Sequence, residues 1–244
     1  QRLTPSTRLF PRVFSAGQAM KRTALRLTGG LLLSWALAWP VAAQDWAWGL
    51  PAHVPAPRVP EDNPMSAVKV ELGRRLFYDP RLSAGGNRSC ASCHQQERAF
   101  TDVKALSEGG TGQLTHRNAP GLANSAWNAT YNWAAPAVVT LERQMEVPLF
   151  GDDPIEMGVN DGNRQLILER LRAEPLYPPL FQEAFAEQVQ PLNMASVIKA
   201  ISAFQRSIVS VDSRYDRYLQ GRAALSGAEQ RGMTVHPLDD MLFA

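Results

Sequence analysis

This chain of 244 residues contains only two cysteines, and they lie three residues apart in the segment SCASCH. His94 directly follows the second cysteine. Thiols spaced as Cys90 and Cys93 are can add to the two vinyl groups on one edge of a porphyrin, and the imidazole that follows then lies beneath the ring, where it can bind iron. The sequence therefore predicts one covalently attached haem c, with Cys90 and Cys93 as thioethers and His94 as the proximal ligand.

Two other uses of a cysteine pair fit this sequence less well. A structural zinc site needs four ligands, and the chain has no second pair of cysteines. A thioredoxin-like redox pair needs a βαβ setting, and no segment alternates apolar and polar residues as strands do. Thioether bonds would also leave no free thiol to form a disulfide in an oxidising compartment.

The N-terminal residues have the form of a secretory signal. Basic residues follow Met20, and then come an apolar stretch at residues 27–39 and a group of small residues. This order predicts a signal peptide at 20–43, preceded by an upstream extension at 1–19, and together these form a leader absent from the mature protein. A membrane anchor that is not cleaved is the alternative, but the apolar stretch is too short to span a bilayer. We expect a periplasmic protein without a stable membrane anchor after cleavage.

Charge excludes two classes of partner once the leader is set aside. Residues 1–43 hold six basic and no acidic residues, which leaves 19 basic and 23 acidic residues and a net charge of −4 in the mature part. A mildly acidic protein offers no general attraction to nucleic acid or to anionic lipid. The remaining 201 residues are enough for one or two small domains with a buried core.

Helical periodicity is clear in four parts of the chain. A helix is predicted from Asn63 and Pro64, and others at 163–172 and 179–189. The clearest helix begins near Asn193, and the helical sequence pattern continues to 219. Its apolar stripe consists of Val197, Ile201, Phe204 and Ile208. No strand pattern is convincing, so the fold class is mainly α.

The remaining segments are irregular. Residues 44–62 are rich in proline and predict an extended lead-in. From 79 to 163 the chain is dense in Gly, Pro, Asn and Asp, with only short helical stretches. Long irregular segments in a compact domain usually surround a cofactor or form a site.

Three longer segments carry a family resemblance. They are ELGRRLFYDPRLSAGGNRSCASCHQQERAFTD (71–102), HRNAPGLANSAWNATYNW (116–133) and LFGDDPIEMG (149–158). Together they resemble the N-terminal haem domain of bacterial di-haem cytochrome c peroxidases. The nearest branch includes the tryptophan-modifying enzymes, the methylamine-dehydrogenase maturase and the methanobactin-associated enzymes. The resemblance covers 61–233 and implies a cytochrome c-like haem domain at 63–233, with long loops wrapping the haem.

The resemblance also implies roles for single residues in the reaction with hydrogen peroxide. Glu156 corresponds to the family glutamate that moves the proton needed to break the O–O bond, so it is the predicted acid–base group. Gln144 corresponds to a distal hydrogen-bonding glutamine, and Trp133 to the tryptophan that carries charge between two haems. The ordinary alternatives are a solvated carboxylate, a solvent-facing amide and a core aromatic.

Other candidate ligands are weighed in the same way. Asn118 corresponds to a residue that helps to hold calcium, although asparagine before Ala-Pro is also ordinary turn chemistry. Classical peroxidases carry a distal histidine near the position of Gly110, and its absence here favours an open iron face. His116 is an alternative sixth ligand or a loop histidine. The remaining candidates are expected to be lead-in or packing residues: His53, Met145, Met157 and Met194.

The resemblance ends near Met233. Family chains continue there into a second haem domain, whereas residues 234–244 do not match, so we expect that domain to be missing and give His236 no role. The implied partners are hydrogen peroxide and either a small electron-donor protein or a protein tryptophan. The alternatives are a mono-haem electron-transfer cytochrome without peroxidase activity and a non-functional gene fragment.

Overall fold

The computed structural model describes residues 46–132 and 136–235, and in these residues the backbone forms seven α-helices, four short 3₁₀ turns and no β-strand. The mainly α fold predicted from the sequence is confirmed. The helices are α1 (Ala67–Tyr78), α2 (Leu141–Phe150), α3 (Arg164–Arg172), α4 (Tyr177–Ala184), α5 (Met194–Arg206), α6 (Arg214–Leu219) and α7 (Gly227–Val235). The 3₁₀ turns are Pro80–Leu82, Cys90–Ser92, Gln96–Arg98 and Ser125–Trp127.

The packing of α1 against α5 forms the centre of the fold. Ser66 and Asn193 cap these two helices, because each side chain accepts a backbone N–H bond from the first turn. Gly73 lies at the point of closest approach, where a Cβ atom would stand 1.8 Å from the carbonyl oxygen of Ala200. The two backbones are therefore too close for any side chain at position 73.

The predicted start of α1 is wrong by a few residues. The helix begins at Ala67 after the Ser66 cap, and Asn63 lies before it. Asn63 is fully buried, and its Nδ2 donates to Glu142 Oε1 at 2.6 Å and to the carbonyl oxygen of Lys199 at 3.0 Å. Its amide therefore joins the lead-in to α2 and α5 instead of capping a helix.

Of the other three helix predictions, α3 is confirmed, the helix at Asn193 is confirmed at its start but not at its end, and the helix at 179–189 is shifted. The helix does not run unbroken to 219, because α5 ends at Arg206. Oγ of the next residue, Ser207, donates to the carbonyl oxygen of Phe204 at 2.7 Å. Helix α4 begins before the predicted segment, since Pro178 fits the first turn, and it ends sooner, at Ala184.

The irregular parts of the chain surround the helices. Helix α2 lies inside the segment expected to be mostly loop and is capped by Thr140. Between α1 and α2 the described residues form only 3₁₀ turns, bends and two isolated bridges. The lead-in from residue 46 has no regular structure, and Trp127 Nε1 donates to the carbonyl oxygen of Pro55 at 2.9 Å.

Within the described ranges, no helix has the length and apolar character needed to cross a bilayer. The predicted leader at 1–43, Trp133 and the tail from His236 onward lie outside the described residues. All described residues belong to one compact unit, Val41–Ala244.

Candidate haem site

Cys90, Cys93 and His94 lie on one tight turn that packs against α1. The N–H group of Ser89 donates to Ser92 Oγ at 3.0 Å and closes the start of the turn. The N–H groups of Cys93 and His94 both donate to the carbonyl oxygen of Cys90, at 3.2 and 2.9 Å. Both cysteines are free, one turn apart, with the histidine next to them.

The surroundings of the two thiols favour their protonated form. Burial raises the pKa of Cys90 to about 12, and the charge of Glu156 acts in the same direction. Burial also raises the pKa of Cys93, assisted by the charges of Asp102 and Glu156. A catalytic redox pair or a zinc site needs easily formed thiolates, which this environment disfavours. Among the described residues there is also no group of three or more His, Cys, Asp or Glu side chains that could hold a metal ion.

The imidazole of His94 is held in one orientation by two backbone carbonyl groups. Its Nδ1 lies 2.8 Å from the oxygen of Phe100 and 3.1 Å from that of Pro120. Carbonyl oxygens only accept hydrogen bonds, so Nδ1 must carry the proton, and the lone pair of Nε2 is left free for a metal. Burial lowers the pKa of His94, which favours the neutral, ligating form.

The turn that presents the Phe100 carbonyl is strained. Ala99 and Phe100 have φ values of 55° and 60°, in the left-handed region that residues other than glycine rarely adopt. Each such residue costs about 1–3 kcal/mol and persists only where its surroundings enforce it. Here a hydrogen bond from Thr101 Oγ1 to the oxygen of Ala119 and a bridge between Gln95 and Thr101 hold the turn. The attachment sequence therefore places His94. The strained turn and Pro120 supply the two carbonyl oxygens that orient its imidazole.

Glu156 lies in the loop after α2, and its backbone is fixed from three directions. Its carbonyl oxygen accepts from the N–H of Gly110 at 2.6 Å. The N–H of Met157 donates to the oxygen of Pro148 at 2.9 Å, and the oxygen of Met157 accepts from the N–H of Ala84 at 2.8 Å. Glu156 is therefore positioned by helix α2, by the segment after α1 and by residues 109–112, which we call the glycine-rich loop.

The side chain of Glu156 is partly buried, and this burial raises its pKa. Cys93 Sγ lies 3.9 Å from the carbonyl oxygen of Glu108. Two residues later, the N–H of Gly110 donates to the carbonyl oxygen of Glu156. The charge of Glu156 also raises the pKa of Cys90 and of Cys93. A carboxyl group that holds its proton more tightly than usual can both donate and recover a proton during a reaction. The structure thus brings Glu156 together with the predicted attachment residues.

The glycine-rich loop passes so close to the segment of Glu156 that added side chains would crowd it. A Cβ atom at Gly109 would lie 2.0 Å from the oxygen of Ile155, and one at Gly110 would lie 3.1 Å from the oxygen of Glu156. Gln113 adds a further tie, since its Oε1 accepts from the N–H of Ile155 at 3.0 Å. A histidine at position 110 would need the loop to move.

Two further predicted site residues are not joined to this cluster by any hydrogen bond. Gln144 is partly buried on α2, one helical turn before Pro148. Asn118 is exposed, and its Nδ2 makes only a long 3.5 Å contact with the oxygen of Ala119. Trp133 lies outside the described residues.

The other histidines and the methionines are placed as follows. His116 Nε2 lies 3.3 Å from Asp153 Oδ1, and both side chains are mostly exposed. His53 is exposed in the lead-in. Three methionines are buried in the hydrophobic core: Met145, Met157 and Met194.

Sequence analysis missed the residues that orient the site through their backbones and amides. No sequence pattern marks Phe100 and Pro120 as carbonyl acceptors for His94. The role of Gln113 depends on a contact across 42 positions of sequence, which a single sequence does not reveal. The glycine pair at 109 and 110 is the one readable signal, because adjacent glycines often mark a close backbone approach.

A family model and individual relatives place this chain among the same group of proteins. Residues 67–224 match the family described as di-haem cytochrome c peroxidase. The chain is 35% identical over 186 residues to the methylamine utilization protein MauG of Methylorubrum extorquens, which covers 76% of this chain and 50% of that protein. It is 33% identical over 219 residues to the cytochrome c551 peroxidase of Pseudomonas aeruginosa, covering 88% of this chain and 61% of the relative. The chain spans about half the length of the curated relatives that it matches.

Solved structures agree with the sequence comparisons. A MauG-like protein associated with microbial copper homeostasis is 59% identical, with a TM-score of 0.75 over 77% of this chain and 53% of that chain. The diheme peroxidase BthA from Burkholderia thailandensis is 27% identical, with a TM-score of 0.58 over 70% of this chain and 46% of that chain. The helical, cytochrome c-like fold and the resemblance predicted from the sequence are both confirmed. The chain belongs to the di-haem cytochrome c peroxidase family.

Proposed function

We propose that this chain carries haem c on Cys90 and Cys93 with His94 as the iron ligand, and that hydrogen peroxide is reduced there. The observation that carries the proposal is the fixed tautomer of His94, whose Nδ1 proton is shared by two carbonyl oxygens while Nε2 stays free. When bound, a c-type haem supplies an iron atom that can bind peroxide and exchange electrons with it.

The attachment residues have the chemistry that the proposal needs. Each protonated thiol adds across one vinyl group, so that sulfur bonds to one carbon and hydrogen to the other, and no oxidant is consumed. The raised pKa values of Cys90 and Cys93 keep the thiols in this form and disfavour disulfide formation. His94 directly follows Cys93 in the sequence, and its imidazole is already oriented by the carbonyl oxygens of Phe100 and Pro120.

Glu156 is the proposed acid–base group. Reduction of one hydrogen peroxide to two waters takes two electrons and two protons. If Glu156 takes a proton from one peroxide oxygen and returns it to the other, water leaves in place of hydroxide. The raised pKa of the carboxyl group and its place near both cysteines support this role. Gln144 would assist through a hydrogen bond, and Trp133 would carry charge.

The glycine-rich loop supports an open position for peroxide. Gly109 and Gly110 present no side chain, and Glu156 is held against their backbone. A side chain at position 110 large enough to reach a metal would first have to displace the loop of Glu156. Calcium binding with Asn118 as one ligand remains a separate proposal, supported only by the family resemblance.

The wider context is also proposed. The family description names two haems, and we propose that residues 63–233 provide one of them. We infer that the signal peptide at 20–43 directs the protein to the periplasm. There electrons would come from a small donor protein or from a tryptophan of a protein substrate. No role with nucleic acid or as a stable membrane protein is proposed.

The first experiment is expression of the whole chain in bacteria that mature c-type cytochromes. We expect haem to remain attached after denaturation and to be lost in Cys90→Ala/Cys93→Ala. Glu156→Gln should keep the haem and slow the reaction with peroxide by about 10²–10⁴-fold, the usual contribution of a positioned acid–base group. Glu169→Gln, a change of the same kind at an exposed position, should react at the original rate. A mass equal to that of the bare polypeptide, or a normal rate in Glu156→Gln, would contradict the proposal.

A second candidate is a mono-haem electron carrier that uses the same attachment residues, Cys90, Cys93 and His94. This function needs a permanent sixth iron ligand. It therefore predicts a low-spin ferric spectrum that does not change when peroxide is added. The proposed peroxide reduction predicts a high-spin fraction and a rapid spectral change.

A further inference from the structure

We infer that Tyr78 is a one-electron relay between the haem site and the protein surface. The inference rests on the proposed reduction of peroxide, which supplies the oxidant. Tyr78 is the last residue of α1, and the residue is 38% exposed.

A short row of aromatic rings joins His94 to Tyr78. The ring centroid of Phe77 lies 6.4 Å from that of His94 and 5.3 Å from that of Tyr78, which it meets edge to face. Phe77 is fully buried, so a single buried ring separates the imidazole from a ring that reaches solvent. Phe204 closes the cluster, with its centroid 5.1 Å from that of Phe77 and 6.4 Å from that of Tyr78.

Tyr78 opens onto a groove in the surface of the chain. The groove has a volume of about 380 Å³ and is lined by Arg74, Tyr78, Gln96, Phe100 and Phe204. The Tyr78 hydroxyl donates to Gln96 Oε1 at 2.9 Å. This arrangement leaves the phenol in contact with a protein acceptor, with water and with any reductant that enters the groove.

Tyrosine is the member of this cluster that can give up one electron reversibly, because loss of its phenolic proton stabilises the oxidised ring. Phe77 and Phe204 have no such proton and can serve only as the medium between donor and acceptor. An amide oxygen such as that of Gln96 is a weak base, so the proton must pass to water at the exposed hydroxyl. Partial burial raises the pKa of Tyr78, so the neutral phenol is the starting form.

The electrons and protons balance as follows. Peroxide takes two electrons and two protons to become two waters. Tyr78 passes both electrons to the haem site, one at a time, and the two protons come from solvent water. Tyr78 becomes a neutral tyrosyl radical and releases one proton to water. A one-electron donor in the groove then returns the electron, and water returns the proton. The cycle runs twice in each turnover, so the donor in the groove supplies both electrons and Tyr78 is not consumed.

The other tyrosines lack this combination of features. Of the tyrosines in 46–132 and 136–235, Tyr78 is the one whose ring contacts Phe77. Tyr177 is buried, and its hydroxyl donates to Asp79 Oδ2 at 2.6 Å. Tyr218 is on α6 and contacts Tyr215, at a centroid distance of 6.3 Å, not the aromatic cluster at His94.

The test mixes the haem-loaded full chain with hydrogen peroxide, freezes it within milliseconds and records the electron paramagnetic resonance spectrum. We expect a radical signal that narrows when tyrosine is supplied in deuterated form, and a spin-trap adduct on the peptide that contains Tyr78. Tyr78→Phe should lose the signal and the adduct, because it removes only the hydroxyl group. Tyr218→Phe should retain both. The first spectral change caused by peroxide should have the same rate in all three proteins.

The outcomes separate the relay from the proposed function. If the haem spectrum of the original protein does not respond to peroxide, both are overturned. If it responds but Tyr78→Phe keeps the radical, or the adduct forms elsewhere, the relay is wrong and the proposed function stands. A normal unfolding curve for Tyr78→Phe would show that loss of the signal is not loss of the fold.

Discussion

The α1–α5 pair and the loops around His94 are held together by different kinds of contact. The helices bury apolar side chains against each other and meet closely at one glycine, Gly73. The loops are joined mainly by backbone groups, as where Gly110 donates to the oxygen of Glu156 and where His94 donates to the oxygen of Phe100. Substitutions in the helical pair should therefore change stability, whereas substitutions in the loops should change geometry at the site.

Arg206 offers the largest test of this comparison, because it joins the helical pair to α2. Its side chain is 2% exposed, and Nη2 donates to both oxygens of Glu142, at 2.8 and 3.0 Å. Arg206→Met leaves the carboxylate without its buried partner, which should lower the free energy of unfolding by about 3–5 kcal/mol. Urea denaturation measures this loss.

The matched control for Arg206→Met is the double variant Arg206→Met/Glu142→Leu. It removes both charges and should recover part of the lost stability, since a buried ion pair can often be replaced by apolar residues. The recovery is incomplete because Asn63 Nδ2 loses its Glu142 acceptor. Equal losses in the single and double variants would show that the pair is not coupled. Peroxide reactivity of the folded double variant should be unchanged.

Gly73→Ala tests the helical pair alone. The added Cβ would meet the oxygen of Ala200 at 1.8 Å, so α1 and α5 must separate, at a cost of about 1–3 kcal/mol or more in unfolding free energy. Gly232→Ala on α7 is the control, because nothing lies within 4 Å of its Cβ position. That change should raise helix stability by up to about 1 kcal/mol. Equal effects of the two changes would contradict the close approach.

Gly109→Ala makes a similar clash in a loop, where the Cβ would lie 2.0 Å from the oxygen of Ile155. A loop can move more easily than a packed helix, so the loss of unfolding free energy should be smaller than in Gly73→Ala, about 1 kcal/mol. The shift should displace Glu156 and slow the peroxide reaction by about 10²-fold. Stopped-flow spectra of Gly109→Ala and Gly73→Ala measure the two rates of reaction with peroxide. An unchanged rate in Gly109→Ala would show that the glycine-rich loop does not position Glu156.

The same contrast explains what could be predicted from the sequence. The cap and stripe of α5 are local signals, so Asn193, Val197 and Ile201 were predicted at the right places in the helix. The attachment motif is a local signal too, and its role stays a prediction. Asn63 was misplaced as a helix cap because its amide bonds to Glu142 and Lys199, far away in sequence. No local sequence pattern shows that Ala99 adopts a left-handed conformation, because tertiary contacts impose it. The role of Glu156 came from family resemblance, because a lone glutamate has no pattern of its own.

The smallest expected effect concerns the pH dependence contributed by Glu156. Burial raises the pKa of its carboxyl group in the folded protein above the ordinary value of 4.5. The folded state therefore holds the proton more tightly than the unfolded state, and the stability that this gives is complete below pH 4.5 and lost as pH rises through the folded pKa. The side chain in Glu156→Gln cannot ionise, so the variant does not lose this stability. Its unfolding free energy should therefore increase relative to that of the original protein as pH rises above 4.5. Denaturation curves at several pH values measure the gain. A difference that does not vary with pH would mean that Glu156 is solvated like an ordinary loop carboxylate.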